Sequence, residues 1–200
     1  IKLLKMSKIV ILGAGIAGHT AAAHLRRKLS KEHEVLVVSP NRNYQWVPSN
    51  IWVGIGRMKP KDVIFPLEPL YKRKGIGYKQ AKAISFHPEG DASEQKPYIL
   101  VEGVYGDTLG KREKVTYDYL INATGPKLAF DLTEGLQPAT NKVYSVCTYD
   151  HAEHASEALH KLIDTLKKSD KKAKILIGTG HAKATCQGAA FEYILNVEKE

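Results

Sequence analysis

The chain has 200 residues, with 30 Lys and Arg against 21 Asp and Glu, a formal net charge of +9, and 43% hydrophobic residues. This is the composition of a soluble globular domain, and its mixed charges and scattered glycines and prolines exclude the disordered, collagen-like and coiled-coil classes. No apolar run approaches the roughly 20 residues that span a bilayer, so we expect no membrane-crossing helix.

The first residues and the cysteines set two further expectations. Residues 1–5 precede Met6 and lack the apolar run and cleavage site of a secretory signal, so we expect translation to begin at Met6. Cys147 and Cys186 are the only cysteines, too few for a disulfide framework at this length. They are expected to be inert core thiols or working redox groups.

The opening of the chain predicts a βαβ unit over residues 8–39. Residues 8–13 are an apolar run that ends in glycine, and residues 17–29 are rich in the helix formers alanine and leucine. Residues 34–39 form a second apolar run, continuous rather than alternating, as in a parallel strand with helices on both faces.

The middle of the chain predicts a functional loop and a small antiparallel meander. Residues 41–60 have no hydrophobic period and are expected to form an ordered loop with room for one helical turn. A helix is predicted near residues 66–74. Alternating segments predict meander strands at residues 81–87, 98–104 and 114–117, and a buried strand follows at residues 119–123.

The last third predicts a helix and the start of a second βα unit. A strand is predicted at residues 143–147, a charged linker at residues 167–172, another strand at residues 174–178, and a final helix from Cys186 onward. The helix over residues 150–168 has an apolar side made of Ala155, Leu159, Leu162, Ile163 and Leu166. Since a lone βα unit cannot bury its own faces, we expect the chain to be the N-terminal part of a longer protein.

A dinucleotide fingerprint, G-x-G-x-x-G, lies between the first strand and the first helix. Gly13 permits the tight turn, Gly15 lets the backbone approach a pyrophosphate, and Gly18 lets the helix lie close to the sheet. The helix N-terminus, at Ile16 and Ala17, supplies N–H groups and positive potential. This pattern alone does not choose between FAD and NAD.

The end of the second strand departs from the fingerprint. An acidic residue is expected there to hold a ribose 2′-OH, and the sequence has Ser39, Pro40 and Asn41 instead. Ser39 or Asn41 is left to hydrogen-bond the ribose, and no Arg at the strand end marks a 2′-phosphate site.

A second glycine motif, at residues 178–183, has Lys183 where the third glycine would stand. Nicotinamide binding there is therefore less favoured than a domain that keeps its shape without the ligand. Cys186 follows near the start of the last helix, where the dipole, Lys183 and His181 would lower the pKa of its thiol and make it a candidate nucleophile. The alternative is that Cys186 is a buried structural cysteine. The position of Cys147, at the end of a predicted strand, indicates less about its role.

Neither a metal nor a nucleic acid is expected. The candidate metal ligands are His151, Glu153, His154 and His160. His151 and His160 are nine residues apart on a predicted helix, roughly 180° around its axis, so the histidines cannot converge. The lysines of residues 167–172 have no interleaved aromatic residues and are expected to form a solvated linker.

Five segments together resemble the sulfide:quinone oxidoreductases, within the flavin-dependent disulfide reductases that have two dinucleotide-binding domains. The segments are residues 11–18, 43–54, 122–130, 145–152 and 185–193. The elements Pro-Ser-Asn, Ala-Thr-Gly-Pro-Lys and Cys-x-Gly-x-Ala-Phe-Glu are more specific than a glycine fingerprint. The resemblance implies an α/β fold: an incomplete Rossmann-like FAD-binding domain at residues 6–150, with a parallel sheet and the meander. Residues 151–200 would then be a connecting helix and the start of a second Rossmann-like domain.

The resemblance also implies roles for particular residues. The loop of residues 13–18 would hold the FAD pyrophosphate. Cys186 would be one of two redox cysteines, His151 and Glu192 would have acid/base or proton-relay parts, and Cys147 would have a supporting or flavin-linking part. The other implied cofactor contacts are Pro48, Ser49, Asn50, Ala123, Thr124, Gly125 and Lys127.

The implied activity is oxidation of sulfide to polysulfide or sulfur, with electrons passing through FAD to a quinone at the membrane surface. In this family the second redox cysteine, the quinone pocket and the membrane-docking segment lie in the C-terminal half, so these 200 residues are not expected to complete turnover. A disulfide between Cys147 and Cys186 in the isolated chain is a further hypothesis.

Three alternatives stay open. They are a flavocytochrome c sulfide dehydrogenase-like subunit with a haem partner, a type II NADH dehydrogenase, and a non-catalytic flavin-binding sensor in which Cys186 is only a redox-sensitive thiol. The altered second glycine motif argues against NADH, and the missing export signal argues against the periplasmic haem partner. The acceptor, the membrane side and the formation of a homo-oligomer are left open.

Overall fold

The computed structural model describes residues 6–136, 143–181, 183–184 and 186–200. The chain divides into two compact units: the first unit is residues 1–44 with 66–126, and the second unit is residues 45–65 with 127–200. The first unit carries the main sheet, and helices dominate the second unit. A domain boundary at residue 150 stays a prediction.

The elements follow one another along the chain in this order: β1 (Lys8–Leu12), α1 (Ile16–Lys28), β2 (Glu34–Ser39), β3 (Asn43–Gln45), α2 (Asn50–Gly54), α3 (Pro60–Val63), β4 (Ile64–Pro66), α4 (Leu67–Lys74), β5 (Gly77–His87), β6 (Tyr98–Gly103), β7 (Arg112–Thr116), β8 (Tyr119–Asn122), α5 (Tyr149–Leu166) and α6 (Gly188–Val197). Short 3₁₀ turns occur at Val47–Ser49, Gly106–Thr108 and Phe130–Leu132.

The main sheet has six strands in the order β7-β6-β5-β2-β1-β8. β1 pairs in parallel with β2 and β8, and β2 pairs in parallel with β5. β5 is long enough to continue into an antiparallel pairing with β6, which pairs with β7. The predicted βαβ unit and meander are therefore confirmed, and they belong to one sheet. β3 and β4 form a separate two-stranded sheet.

The strands β1 and β2 are buried on both faces, which explains their continuous apolar sequences. Ile9 and Ile11 pack in one cluster with side chains of α1 and α4, whereas Val10 and Leu12 pack in a second cluster with side chains of the meander. The expectation of helices on both faces is therefore wrong for one face. Side chains of the meander strands pack in the cluster on that face instead.

Three predicted segments differ from the structure. Residues 41–60 contain the expected helical turn, α2, and also the strand β3, which the sequence did not predict. Residues 143–147 form no strand: Val146 packs with Val53 and Ala152, and the Cys147 N–H donates to Ser145 Oγ at 3.0 Å, a local bond that competes with strand pairing. Residues 174–178 also form no strand, because no described segment pairs with them, and Leu176 is 95% exposed.

At two glycines of the first unit, neighbouring backbone segments approach each other too closely for a side chain to fit between them. Gly13 has φ +93°, and a Cβ added there would lie 2.3 Å from the carbonyl oxygen of Ala123. A Cβ added at Gly18 would lie 2.0 Å from the carbonyl oxygen of Gly13. Glycine is required at both positions, because backbone atoms cannot move aside as a flexible side chain can.

We expect Gly18→Ala to destabilise the protein by about 1–3 kcal/mol, since the new methyl group overlaps the Gly13 carbonyl. This loss appears although alanine is the better helix former. Gly15→Ala is the matched control, because its Cβ meets nothing within 4 Å and its φ of −71° suits alanine. Urea unfolding of both variants measures the difference, and equal stabilities would contradict the packing argument.

The turn between β5 and β6 is held by one carboxylate. Asp91 accepts hydrogen bonds from the Tyr98 hydroxyl, from Lys114 Nζ at 2.9 Å and from the Ser93 hydroxyl at 2.8 Å. These donors hold the pKa of Asp91 well below its usual range, with Tyr98 contributing most. A carboxyl whose pKa is lowered by folding stabilises the native state only while it is ionised.

We therefore expect Asp91→Asn to lower the urea midpoint at pH 7, and the difference from the unsubstituted protein to shrink as the pH falls below about 4. The exposed Asp170, changed to Asn, is the control. A difference for Asp91→Asn that is the same at pH 7 and pH 3 would rule out the ionised carboxylate as its origin.

Candidate functional site

The carboxyl ends of three parallel strands meet at one edge of the main sheet. Leu12 lies opposite Val38 of β2 on one side and Asn122 of β8 on the other. The chain leaves β1 through α1 toward β2, whereas β8 joins from the opposite side. Open α/β sheets bind ligands in the crevice that forms where the strand order reverses in this way.

The start of α1 forms an open cradle at this edge. Gly15, Ile16 and Ala17 are exposed, and a Cβ added at Gly15 would meet nothing within 4 Å. No side chain caps the helix N-terminus, and its first turn contains no acidic residue. The unshared backbone N–H groups and the positive end of the helix dipole therefore fit a pyrophosphate.

The segment after β8 lies against this glycine turn. The close approach of Gly13 to Ala123 also brings Thr124 Cα to 3.0 Å from a Cβ added at Gly13. The backbone N–H and the hydroxyl of Thr124 donate to Asn122 Oδ1 at 3.2 and 2.9 Å, and Gly125 has φ +70°. Two motif segments predicted to contact the cofactor thus lie side by side, and Asn122, which the sequence analysis missed, fixes the second.

The end of β2 presents two polar residues that differ in access. Ser39 is only 1% exposed, and its hydroxyl oxygen accepts the N–H of Asn41 at 3.2 Å. Pro40 and Asn41 are exposed. Of the two candidates for a ribose contact, Asn41 is therefore the accessible one, and Ser39 shapes the turn that carries it.

In the second unit, Asn50 is a buried amide with a spare donor. It is 1% exposed, its Oδ1 accepts Gln45 Nε2 at 3.1 Å, and its Nδ2 has no partner among the described residues. An unpaired buried donor costs about 1–3 kcal/mol, so this atom fits a ligand acceptor such as a flavin oxygen. Pro48 and Ser49 precede it in a short 3₁₀ turn, with Pro48 exposed.

Packing of α2 in the second unit holds Asn50 in place. A Cβ added at Gly54 would lie 2.8 Å from Val146 and 3.0 Å from the Tyr193 ring of α6. The Tyr193 hydroxyl donates to the Gly54 carbonyl at 3.0 Å, and burial raises the pKa of that hydroxyl. The glycine that follows the Pro-Ser-Asn element thus allows α6 to lie against α2.

Both cysteines are exposed, and both thiols are free. The core-thiol alternative is therefore wrong, and the structure contains no Cys147–Cys186 disulfide. Cys147 precedes α5 by two residues, and Cys186 precedes α6 by two residues, so Cys186 lies near the last helix as predicted, although that helix begins at Gly188.

The two predicted proton-relay residues lie in different surroundings. His151 is half-buried on α5, its ring meets Phe130 edge-on at 5.4 Å, and its Nδ1 is buried without a partner among the described residues. Glu192 is exposed on α6, where its carbonyl accepts Asn196 Nδ2 at 2.8 Å. Lys127, the last predicted cofactor contact, is also exposed.

The second glycine motif differs physically from the first. A Cβ added at Gly180 would lie 2.2 Å from Leu136 Cδ2, and the Gly180 carbonyl accepts the Thr133 hydroxyl at 3.1 Å. The space that is open beside Gly15 is therefore filled beside Gly180. Ala182 of this motif and Thr185 of the cysteine segment lie outside the described residues. Within the described ranges no three His, Cys, Asp or Glu side chains group as a metal site.

A glycine turn, an uncapped helix N-terminus and a crevice at the carboxyl ends of parallel strands define a dinucleotide-binding α/β protein. The pyridine nucleotide-disulphide oxidoreductase family matches residues 7–185. The chain therefore belongs to this family, whose sulfide-quinone reductase members are FAD-binding flavoproteins, and FAD is its cofactor.

Individual relatives within the family are quinone reductases. The chain is 28% identical over 192 residues to the sulfide-quinone reductase of Aquifex aeolicus, covering 96% of this chain and 39% of the relative. It is 29% identical to the type II NADH:quinone oxidoreductase of Haemophilus influenzae, in a match that covers 86% of this chain and 38% of the relative. The crystal structure of the Aquifex aeolicus sulfide:quinone oxidoreductase superposes with a TM-score of 0.74 at 25% identity, covering 94% and 38%.

The motif resemblance to sulfide:quinone oxidoreductases is confirmed by these comparisons. The chain spans about two fifths of the length of the relatives that it matches.

We expect Gly15→Ala to weaken FAD binding by about tenfold while it leaves stability unchanged, because the methyl group enters the open cradle. Thr20→Ala, an exposed change one turn further along α1, is the control. Quenching of flavin fluorescence on titration into flavin-free protein gives both dissociation constants. Undiminished affinity of Gly15→Ala would place the pyrophosphate elsewhere.

Proposed function

We propose that the whole protein is an FAD-dependent sulfide:quinone oxidoreductase, to which this chain contributes the FAD cradle and one redox cysteine. The observation that carries the proposal is Cys186, which is exposed ahead of α6 within a Cys-x-Gly-x-Ala-Phe-Glu segment. The names of the Aquifex aeolicus and Dictyostelium discoideum relatives support sulfide as the donor and quinone as the acceptor.

The chemistry requires an oxidised sulfur that sulfide can attack. In the proposed step, HS⁻ attacks a disulfide formed by Cys186 and a second cysteine. A bond forms to the sulfide sulfur as the disulfide bond breaks, which leaves one cysteine as a persulfide and the other as a thiolate. The proton of HS⁻ passes to a base, and FAD supplies a two-electron acceptor when bound. Exposure of Cys186 gives small anions access to its sulfur.

Proton handling is assigned to His151 and Glu192. His151 carries a buried Nδ1 without a described partner, so this nitrogen has capacity to take or give a proton. Glu192 follows Cys186 by six residues and is exposed, which suits exchange of that proton with water. Cys147 is assigned a supporting part near the start of α5.

The cofactor contacts are assigned by unit. In the first unit, backbone N–H groups from Gly15 to Gly18 would hold the pyrophosphate, Asn41 would hold the ribose, and Ala123, Thr124 and Gly125 would contact the cofactor. In the second unit, Asn50 Nδ2 offers a hydrogen-bond donor, and Pro48, Ser49 and Lys127 would be further cofactor contacts.

A peripheral location at a membrane is part of the proposal, since quinones are lipid-soluble acceptors. No helix of the described residues is both long and apolar enough to cross a membrane.

A type II NADH:quinone oxidoreductase is the second candidate, and the Haemophilus influenzae relative favours it. NADH would need a second dinucleotide site. Two features argue against the 178–183 motif as that site. Leu136 lies beside Gly180, and Lys183 stands in place of the third glycine.

We expect Cys186→Ser in the complete protein to slow anaerobic flavin reduction by sulfide by at least about 10³-fold, because serine cannot form the disulfide or the persulfide. Ala184→Ser introduces the same group two residues away and should reduce normally. Stopped-flow flavin absorbance gives both rates. Fast reduction in Cys186→Ser would remove this residue from the mechanism.

A further inference from the structure

The turn that follows β2 is held by side chains from β5. The Tyr78 hydroxyl donates to the carbonyl of Asn41 at 2.6 Å, and Gln80 Nε2 donates to the carbonyl of Pro40 at 3.3 Å. With the bond from the Asn41 N–H to Ser39 Oγ, three hydrogen bonds fix two consecutive residues. An exposed turn without such bonds would sample several conformations.

The strand register explains why these two side chains reach the turn. β5 pairs in parallel with β2, with Tyr78 opposite Val37 and Gln80 opposite Ser39. Two residues apart on a strand, Tyr78 and Gln80 project from the same face. They therefore reach the turn together.

Tyr78 is well anchored for this purpose. Its ring contacts the fully buried ring of Tyr71 at 5.7 Å, and the Tyr71 hydroxyl lies 3.2 Å from His19 Nδ1 on α1. Burial, with a smaller effect from Glu68, raises the pKa of Tyr78 to about 12, so its hydroxyl keeps its proton at neutral pH. The Tyr78 hydroxyl is thus a fixed donor attached to the core.

The turn matters because it stands where the dinucleotide fingerprint has an acid for the ribose. The accessible residue here is a neutral amide, Asn41. A hydrogen bond between the ribose hydroxyl and a neutral amide is weaker than one that a carboxylate accepts, so its contribution depends more on accurate placement.

We propose that Tyr78 is a positioning residue for the adenosine ribose of FAD: its bond to the Asn41 carbonyl holds the turn so that the Asn41 side chain meets the ribose 2′-hydroxyl. Gln80 assists through Pro40. This role rests on FAD binding by the chain and holds for either electron donor, so a failed sulfide assay leaves it untouched.

The test compares ADP with 2′-deoxy-ADP, the adenosine half of FAD with and without the hydroxyl in question. Calorimetric titration into the flavin-free protein gives both affinities. We expect Tyr78→Phe to weaken ADP binding by about fivefold and to leave 2′-deoxy-ADP binding unchanged. Tyr119→Phe, a tyrosine 63% exposed on the edge strand β8, is the matched control and should change neither.

A second variant separates positioning from general loosening of the fold. Asn41→Ala should lose the same preference for ADP, and Tyr78→Phe with Asn41→Ala should bind ADP no worse than Asn41→Ala alone. Three results would each overturn the assignment. They are an equal weakening of ADP and 2′-deoxy-ADP binding by Tyr78→Phe, additive losses of ADP affinity in the double variant, and no preference for ADP in the unsubstituted protein. Thermal unfolding of Tyr78→Phe shows whether the fold is kept.

Discussion

The first unit depends on a contact between backbones that excludes every side chain. The turn at Gly13 lies against the carbonyl of Ala123, and α1 at Gly18 lies against the carbonyl of Gly13. Because α1 is held this close to the sheet, its first N–H groups emerge at the carboxyl ends of β1 and β8, beside Thr124. The position of the cofactor cradle thus follows from glycine packing.

Openness is what distinguishes a binding turn from a turn of similar sequence. Beside Gly15 a methyl group would meet nothing, whereas beside Gly180 it would meet Leu136. Both turns read as G-x-G in the sequence. The open turn at Gly15 therefore fits the FAD pyrophosphate better than the turn at Gly180 does.

The sequence predicted what periodicity and local chemistry control. The βαβ unit was predicted within one or two residues, because continuous apolar runs and a glycine turn define it locally, and the antiparallel strands followed from alternation. The strand predicted at residues 143–147 was wrong, since Val146 found apolar partners in α2 and α5 and Ser145 supplied a local hydrogen bond. The single helical turn expected within residues 41–60 is α2, although its exact position was not predicted, because Asn50 and Gly54 are poor helix formers that tertiary packing stabilises.

The site residues also divide into those that local sequence predicts and those that depend on tertiary structure. The glycines and the cysteine segment were found because their patterns are contiguous. Tyr78 and Gln80 were not, because their function depends on which strands become neighbours, and β5 reaches β2 only after 38 intervening residues between Ser39 and Tyr78. The exposure of both cysteines is likewise a property of the packed structure.

In the mechanism that we propose, sulfide reduces the flavin bound at the Gly15 cradle through Cys186. The most direct measurement is anaerobic: flavin absorbance of the complete protein followed after addition of sulfide and, separately, of NADH. Bleaching by sulfide that a quinone reverses, without bleaching by NADH, is the predicted result. Bleaching by NADH alone would contradict it and would make the protein a nicotinamide-dependent reductase.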